Sequence, residues 1–496
     1  MTVQMSTAIV YKSWAALVSI LVLAATLSAS AVPPLTGSLA NLLLPAGVQG
    51  NSDTALITVR KQDRVARNAK GVMTRLTPEE HLRRAAIYLA NRAFDEAREH
   101  WQALINYYPD DPRVAPALLG MGRSYFQGRR YLEAYNAYDR LAREYPGTKD
   151  GREGLNFSAA SLLRLGRTSE AADRYIQYIN RFPDGERVET AHLNAIDTLR
   201  EAGRIQEALK WVTQTRQRFA GTPTAVNAVF GQLRLEISEG NWTKAITTAD
   251  ELSRQSFQKG VATSPSEVAY LKAYSLERAG RQAQAYSAYM AVPGGMDSYY
   301  GWLATDHLAS VADGRSRGFA GDRIEIVKAQ IDQVADRYPI PYRQIIINEA
   351  TKRKLDPRFV LALIRQESVF RPQAKSPAGA RGLLQLTIDA AQKYAAPAGM
   401  ASVEENQLYQ PETSIRLGSE YLAELAAMFP NLPEAVAASY NGGEDNVARW
   451  VRRAKQKDAG VFTSEVGFDE TKAYVQKVMN NYRVYQQLYT ADLKRK

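Results

Sequence analysis

The 496-residue chain contains no cysteine. Disulfides, thiolate metal sites, cysteine nucleophiles and lipidated cysteine anchors are therefore excluded. Histidine is nearly as scarce: the chain has His81, His100, His192 and His307, and none follows His307. Chemistry in the last third must run on carboxylates, phenols, hydroxyls, amides or lysine, and no metal or other cofactor is expected. Long apolar runs are missing beyond the first thirty residues, so no later stretch could span a bilayer, which needs about 20 apolar residues. No long Lys/Arg block with interleaved aromatics occurs either, and a nucleic-acid partner is not expected.

What remains is an ordinary globular composition, 45% hydrophobic and 23% charged, long enough for about three domains. A net charge of +11 favours a polyanionic partner, whether nucleic acid, acidic membrane or acidic polymer, without choosing among them. The N-terminus reads as an export signal over residues 1–31. Lys12 gives a weak positive start, Trp14 to Leu27 an apolar run, and Ala29-Ser30-Ala31 a small-residue cleavage site. The alternative is an uncleaved anchor; after signal removal no integral span is expected. Residues 32–75 carry no sustained period and read as a tether.

From residue 76 the sequence repeats. Asp95-Glu96-Ala97, Leu132-Glu133-Ala134, Ser169-Glu170-Ala171, Gln206-Glu207-Ala208 and Thr243-Lys244-Ala245 recur every 37 residues, and Gln284-Ala285 follows after 40. Tyr108-Pro109, Tyr145-Pro146 and Phe182-Pro183 keep the same beat, with Ala220 at the next step. Within a unit, an apolar 3-4 pattern runs to a break such as Gly166-Arg167 or Gly203-Arg204, and a second pattern ends at the aromatic-Pro pair. This is a helix-turn-helix repeat, expected over residues 76–297 and stacked as a solenoid. It resembles tetratricopeptide repeats with a slightly long period. Such an array serves as a scaffold or offers a concave binding surface, possible for a protein partner. Residues 298–337 read as a helical connector. Tyr338-Pro339-Ile340-Pro341-Tyr342 is a stiff breaker, where the main boundary is placed.

Residues 338–491 again read as helices and loops, so the fold class is all-α throughout. A helix begins at Asp356-Pro357, a capping residue followed by proline at the first helical position. Val360, Leu363, Ile364 and Glu367 share one face, which puts a carboxylate at an apolar position. Arg371 precedes Pro372, so the helix must stop near Phe370, with Glu367 in its last turn. Desolvation and the negative helix end both disfavour ionised Glu367 and suit it to hold a proton as a general acid. The alternative is a surface glutamate paired with Arg365 or Arg371. A Gly/Ala-rich loop, Ser376 to Leu386, follows, in which small residues permit close backbone approach and Gln385 offers both donor and acceptor. Ser439-Tyr440-Asn441-Gly442-Gly443 then sets a phenol and an amide where a helix ends; a plain helix stop explains it equally.

In order, Tyr338 to Tyr342, Ala362 to Ser368, Ser376 to Leu386, Pro411, Ile415, Gly418, Tyr421-Leu422, Tyr440-Asn441, Glu470-Thr471 and Tyr474-Val475 resemble the catalytic domain of the soluble lytic murein transglycosylases. Tyr299-Tyr300-Gly301 resembles the element that joins such domains to a helical superhelix. The resemblance implies an α-solenoid followed by a lysozyme-like α-helical domain, and activity on peptidoglycan glycan strands in the periplasm. It assigns Glu367 as the catalytic acid/base. Ser376 and Gln385 fall near the glycan, Tyr440 close to the catalytic carboxyl, Asn441 beside it in the cleft and Glu470 at the substrate groove. The implied reaction cleaves the β-1,4 bond between N-acetylmuramic acid and N-acetylglucosamine and leaves a 1,6-anhydro product. Tyr440 is expected to orient Glu367 or the substrate acetamido group. The sequence departs from the family pattern at Gly442, at Gly467 where proline is usual, and at Ala473; these bear on subsites. A hydrolytic muramidase using Glu412 or Glu420 as a second carboxylate, and a non-catalytic peptidoglycan-binding scaffold, are the alternatives. The basic run Arg449, Arg452, Arg453, Lys455 and Lys457 is either a solvated helix face or a surface for acidic substrate.

Overall fold

The computed structural model describes residues 53–311 and 314–496. The export signal and the first part of the expected tether lie outside the described residues. Among the described residues every regular element is a helix, and β pairing is limited to isolated bridges. None of these helices is long and apolar enough to cross a membrane.

Helix α1 (Asp53–Val65) precedes the repeats. Six helix pairs follow: α2 (Pro78–Ala90) with α3 (Phe94–Tyr107), α4 (Val114–Gln127) with α5 (Tyr131–Glu144), and α6 (Lys149–Arg164) with α7 (Thr168–Arg181). Then come α8 (Val188–Glu201) with α9 (Ile205–Arg218), α10 (Pro223–Ser238) with α11 (Trp242–Leu252), and α12 (Pro265–Arg278) with α13 (Gln282–Ala291). Helices α14 (Tyr299–Val311) and α15 (Gly314–Gln333) connect to the C-terminal domain. That domain holds α16 (Arg343–Lys352), α17 (Pro357–Ser368), α18 (Ile388–Ala395), α19 (Pro411–Met428), α20 (Pro433–Gly442), α21 (Glu444–Ala454), α22 (Ala459–Glu465) and α23 (Asp469–Leu488).

The repeat marks have physical causes. Ala97, Ala134, Ala171, Ala208, Ala245 and Ala285, one per pair, are all buried, where only a small side chain lets neighbouring helices close up. The turn inside each pair passes through one left-handed residue: Arg92, Arg129, Gly166, Gly203, Gly240 and Gly280, with φ between 60° and 77°. Four are glycine, which meets no steric penalty there. The two arginines are an exception with a reason. Arg92 Nε donates to Asp389 Oδ1 at 2.7 Å, and Arg129 Nη2 to Glu444 Oε2 at 2.8 Å, both on the C-terminal domain.

Those contacts belong to a series along the whole array. Asp53 of α1 pairs with Arg381, Arg200 of α8 with Glu465, Arg234 of α10 with Glu465, and Tyr270 of α12 with Asp458. Helix α1, the first two pairs, α8, α10 and α12 thus each meet the same domain. Val226 through Leu493, across the last repeats, the connector and the C-terminal domain, contribute to one continuous hydrophobic core.

Two readings of the sequence bear on the described residues. Part of the segment read as a tether is helix α1, which buries Ala55, Leu56, Val59 and Asp63 against the first repeat. Its apolar stripe is too short and sparse to register as a period. The basic run divides: Arg452, Lys455 and Lys457 are exposed, as on a solvated face, whereas Arg449 and Arg453 on α21 are engaged by acidic residues. Arg449 Nε donates to Glu201 Oε2 at 2.9 Å, and Arg453 is buried among Glu201, Asp197 and Glu465. A helix face that docks through ion pairs has the same composition as one facing water.

Candidate active site

Helix α17 is capped as its sequence requires. Asp356 accepts from the Arg358 amide at 2.9 Å, and Pro357 occupies the first turn. Val360, Leu361, Ala362, Leu363 and Ile364 are fully buried, so the helix is surrounded through its middle, with α23 as a main neighbour. It ends at Ser368, slightly earlier than the Arg371-Pro372 junction suggests. Val369 and Phe370 are both left-handed, with φ of 50° and 59°. A β-branched residue in this region is rare. Val369 is also 61% exposed, so it recovers little by packing. Strain of about 1–3 kcal/mol per residue is kept where the surrounding structure imposes it, commonly at functional sites. Here it ends the helix one residue after Glu367.

Glu367 has no Arg or Lys partner within ion-pair distance among the described residues; Arg365 stacks on Tyr338 and Arg371 bonds the Ser368 carbonyl. Its neighbour is a phenol. Tyr474 Oη donates to Glu367 Oε1 at 2.6 Å. Burial pushes the Glu367 carboxyl up to about 7, the Tyr474 hydrogen bond opposes this, and the nearby Glu470 charge adds to it. Burial and the Glu367 charge keep Tyr474 protonated well above its ordinary range, so it remains a donor. The pair holds a carboxylic acid that can give up its proton near neutral pH and a donor that steadies the anion left behind.

The other expected residues surround this pair with different duties. Glu470 is exposed in the first turn of α23, one turn before Tyr474, and its charge acts on Glu367 ionisation. Tyr440 Oη donates to the Leu384 carbonyl at 2.7 Å, so its proton is committed to the Ser376–Leu386 loop, and the phenol that bonds Glu367 is Tyr474. The Tyr440 ring packs on Tyr421, which stacks on Tyr394. Asn441 Oδ1 accepts from Thr471 Oγ1 at 2.6 Å, which ties the end of α20 to α23. Gln385, at φ 46°, gives its amide hydrogens to the Ala374 and Gly382 carbonyls at 3.0 and 2.8 Å, and Ser376 Oγ accepts from the Ala380 amide at 3.1 Å. Gly382, at φ 80°, lies so close to Leu408 that a Cβ there would stand 1.9 Å from its carbonyl oxygen. Of the alternative second carboxylates, Glu420 is engaged by Arg353 at 2.6 Å, and Glu412 is exposed in the first turn of α19. Among the described residues no group of three or more His, Asp or Glu side chains is arranged to hold a metal ion.

Tyr474 as the partner of Glu367 was not singled out from sequence. The available signal was its spacing: Glu470 and Tyr474 are four apart, on one helical face, so a site that uses one is within reach of the other.

Residues 344–462 match the transglycosylase SLT domain, and residues 81–111, 116–148 and 158–223 match tetratricopeptide repeats. Glu367, Ser376, Gln385, Tyr440 and Asn441 lie inside the domain match; Glu470 and Tyr474 lie just beyond it. A putative soluble lytic murein transglycosylase of Haemophilus influenzae is 35% identical over 164 residues, which is 33% of this chain and 28% of that protein. The soluble lytic murein transglycosylase of Escherichia coli strain K12 is 32% identical over 165 residues, 32% of this chain and 25% of that protein. The chain therefore spans only about a quarter of the length of these relatives. A lytic transglycosylase structure from Pseudomonas aeruginosa aligns with a TM-score of 0.49 at 19% identity, over 88% of this chain and 84% of that one. The chain is thus similar to transglycosylase SLT domains over residues 344–462, behind stretches similar to tetratricopeptide repeats.

Proposed function

We propose that the protein is a lytic transglycosylase of peptidoglycan, acting in the periplasm with Glu367 as its single acid/base. The observation that carries this reading is the half-buried Glu367, inside the SLT domain match and poised near neutrality, bonded to the buried Tyr474. Glu367 protonates the glycosidic oxygen between N-acetylmuramic acid and N-acetylglucosamine. The substrate acetamido oxygen relieves the positive charge that develops at C1, as in substrate-assisted glycosidases. Glu367, now ionised and holding the Tyr474 hydrogen bond, takes the proton of the muramic C6 hydroxyl, which closes on C1 to give the 1,6-anhydro product. The nucleophile is intramolecular and profits from proximity. Ser376, Gln385 and Asn441 are the binding residues of this reading, with Glu470 at the edge of the groove. Tyr440 supports the loop that carries Ser376 and Gln385.

One observation favours a second reading. Glu470 is close enough to act on Glu367, and in an inverting hydrolase a second carboxylate positions a water. Mass spectrometry of muropeptides released from purified peptidoglycan separates the two. Anhydro-muropeptides from the wild type and none from Glu367→Gln support the transglycosylase. Reducing products heavier by one water mean hydrolysis, and no products from either protein mean a binding scaffold.

A further inference from the structure

The loop between α17 and α18 contains a charge that the C-terminal domain does not neutralise itself. Arg381 is only 1% exposed, among the largest fully buried side chains of the protein. Its Nη1 donates to the Gly379 carbonyl within the loop at 2.7 Å, and its carboxylate partner is Asp53, at the start of α1, at 2.5 Å from Nη2. The same Asp53 carboxylate accepts from Lys375 Nζ at 2.9 Å and from Tyr409 Oη at 3.3 Å. Three side chains of the domain thus converge on one residue that precedes the repeats by more than twenty positions.

Helix α1 is fixed at its far end as well. Asp63, buried, pairs with Arg84 and accepts from Tyr88 Oη at 2.5 Å and His100 Nε2 at 2.9 Å, all on the first repeat pair. One end of the helix is bound into the solenoid and the other grips the loop.

We propose that Asp53 is a positioning residue for glycan binding, holding the 374–386 loop in the form that presents Ser376 and Gln385. This rests on the function proposed above. The loop has its own backbone bonds, Gly382 to the Ala374 carbonyl and Leu386 to Arg381, both at 3.0 Å, which set its shape. Those bonds do not neutralise the buried guanidinium. Without Asp53, Arg381 must draw toward water and take the loop with it, because a buried charge is tolerated only when paired. Glu367 sits on a separate, fully packed helix and is untouched by this change, so binding suffers and the chemical step does not.

The test compares Asp53→Asn and Asp53→Glu in the full-length protein by steady-state kinetics on purified peptidoglycan strands and by hydrogen exchange of the loop amides. Misplacing binding groups by about an ångström costs up to ~100-fold, so Asp53→Asn is expected to raise KM by about tenfold or more and to leave kcat and its pH profile within about twofold. Exchange at Gly382 and Leu386 should speed up, and Asp53→Glu should recover most of both effects. Unchanged exchange in Asp53→Asn overturns the clamp. Faster exchange with a wild-type KM, or a loss confined to kcat, overturns the role in binding. A wild-type protein that turns over no glycan refutes the proposed function instead, and exchange still reports whether Asp53 holds the loop.

Discussion

At the scale of single residues, the site depends on one carboxyl that the fold keeps from ionising at its ordinary pH. Glu470 contributes to that, so Glu470→Gln removes a charge that pushes Glu367 up, and the basic limb of kcat/KM moves to lower pH. A displacement of one pKa unit lowers rates beyond the limb by about tenfold, which a pH series on the variant reads directly. The same carboxyl affects stability. Its folded value of about 7 lies above the ordinary 4.5 of a glutamate, so ionising it in the fold is unfavourable, and the cost grows from pH 4.5 to 7. Glu367→Gln, which cannot ionise, should gain up to about 3 kcal/mol over wild type above pH 7 and little below pH 4.5, as measured by chemical unfolding at both pH values. The placement of Glu367 was legible in the sequence, as a glutamate at an apolar helix position just before a forced stop. The Tyr474 bond was not, since it joins residues 107 apart that only packing of α17 on α23 brings together.

At the scale of elements, the repeat was legible because its constraints are local and recurrent. A small residue must be buried once per unit, and one turn residue must be left-handed once per unit. Gly203→Ala places a side chain at φ 73° and should cost about 1 kcal/mol in urea unfolding. Arg129→Gly at the equivalent turn should be close to neutral, since relief of similar strain, about 1 kcal/mol, offsets loss of a partly exposed pair with Glu444 worth about as much. Sequence alone gives no reason for arginine at two turns where four use glycine; the acidic residues that hold Arg92 and Arg129 lie some three hundred positions away. Helix α1 escaped notice for a related reason. It buries few residues and draws much of its hold from Asp53 and Asp63, whose partners belong to other elements.

At the scale of the molecule, the solenoid and the C-terminal domain are joined by buried ion pairs. Glu465, from the C-terminal domain, lies among Arg200 and Arg234 of the solenoid and Arg453 of its own domain. His307 of the connector stands between Glu277 of the repeats and Asp458 of the C-terminal domain, at 3.0 and 3.2 Å. Burial disfavours its charge, but these two carboxylates prevail and hold it up to about 9. Since that value lies above the ordinary 6.5, the contribution is complete below pH 6.5 and is lost as pH rises through 9. Wild type should lose about 1–3 kcal/mol over that window beyond what His307→Gln loses, as thermal unfolding across pH 6 to 10 would show. None of this docking could be read from the sequence, where Arg449 and Arg453 look like ordinary surface charges.

The central claim is that a protonated Glu367 starts the reaction. The pH dependence of kcat/KM on purified peptidoglycan tests it most directly. The account predicts a rate that falls above pH of about 7 on the loss of one proton, with Glu367→Gln showing no activity at any pH. A rate that stays flat through pH 7 and above, or a Glu367→Gln variant that keeps its activity, would contradict it.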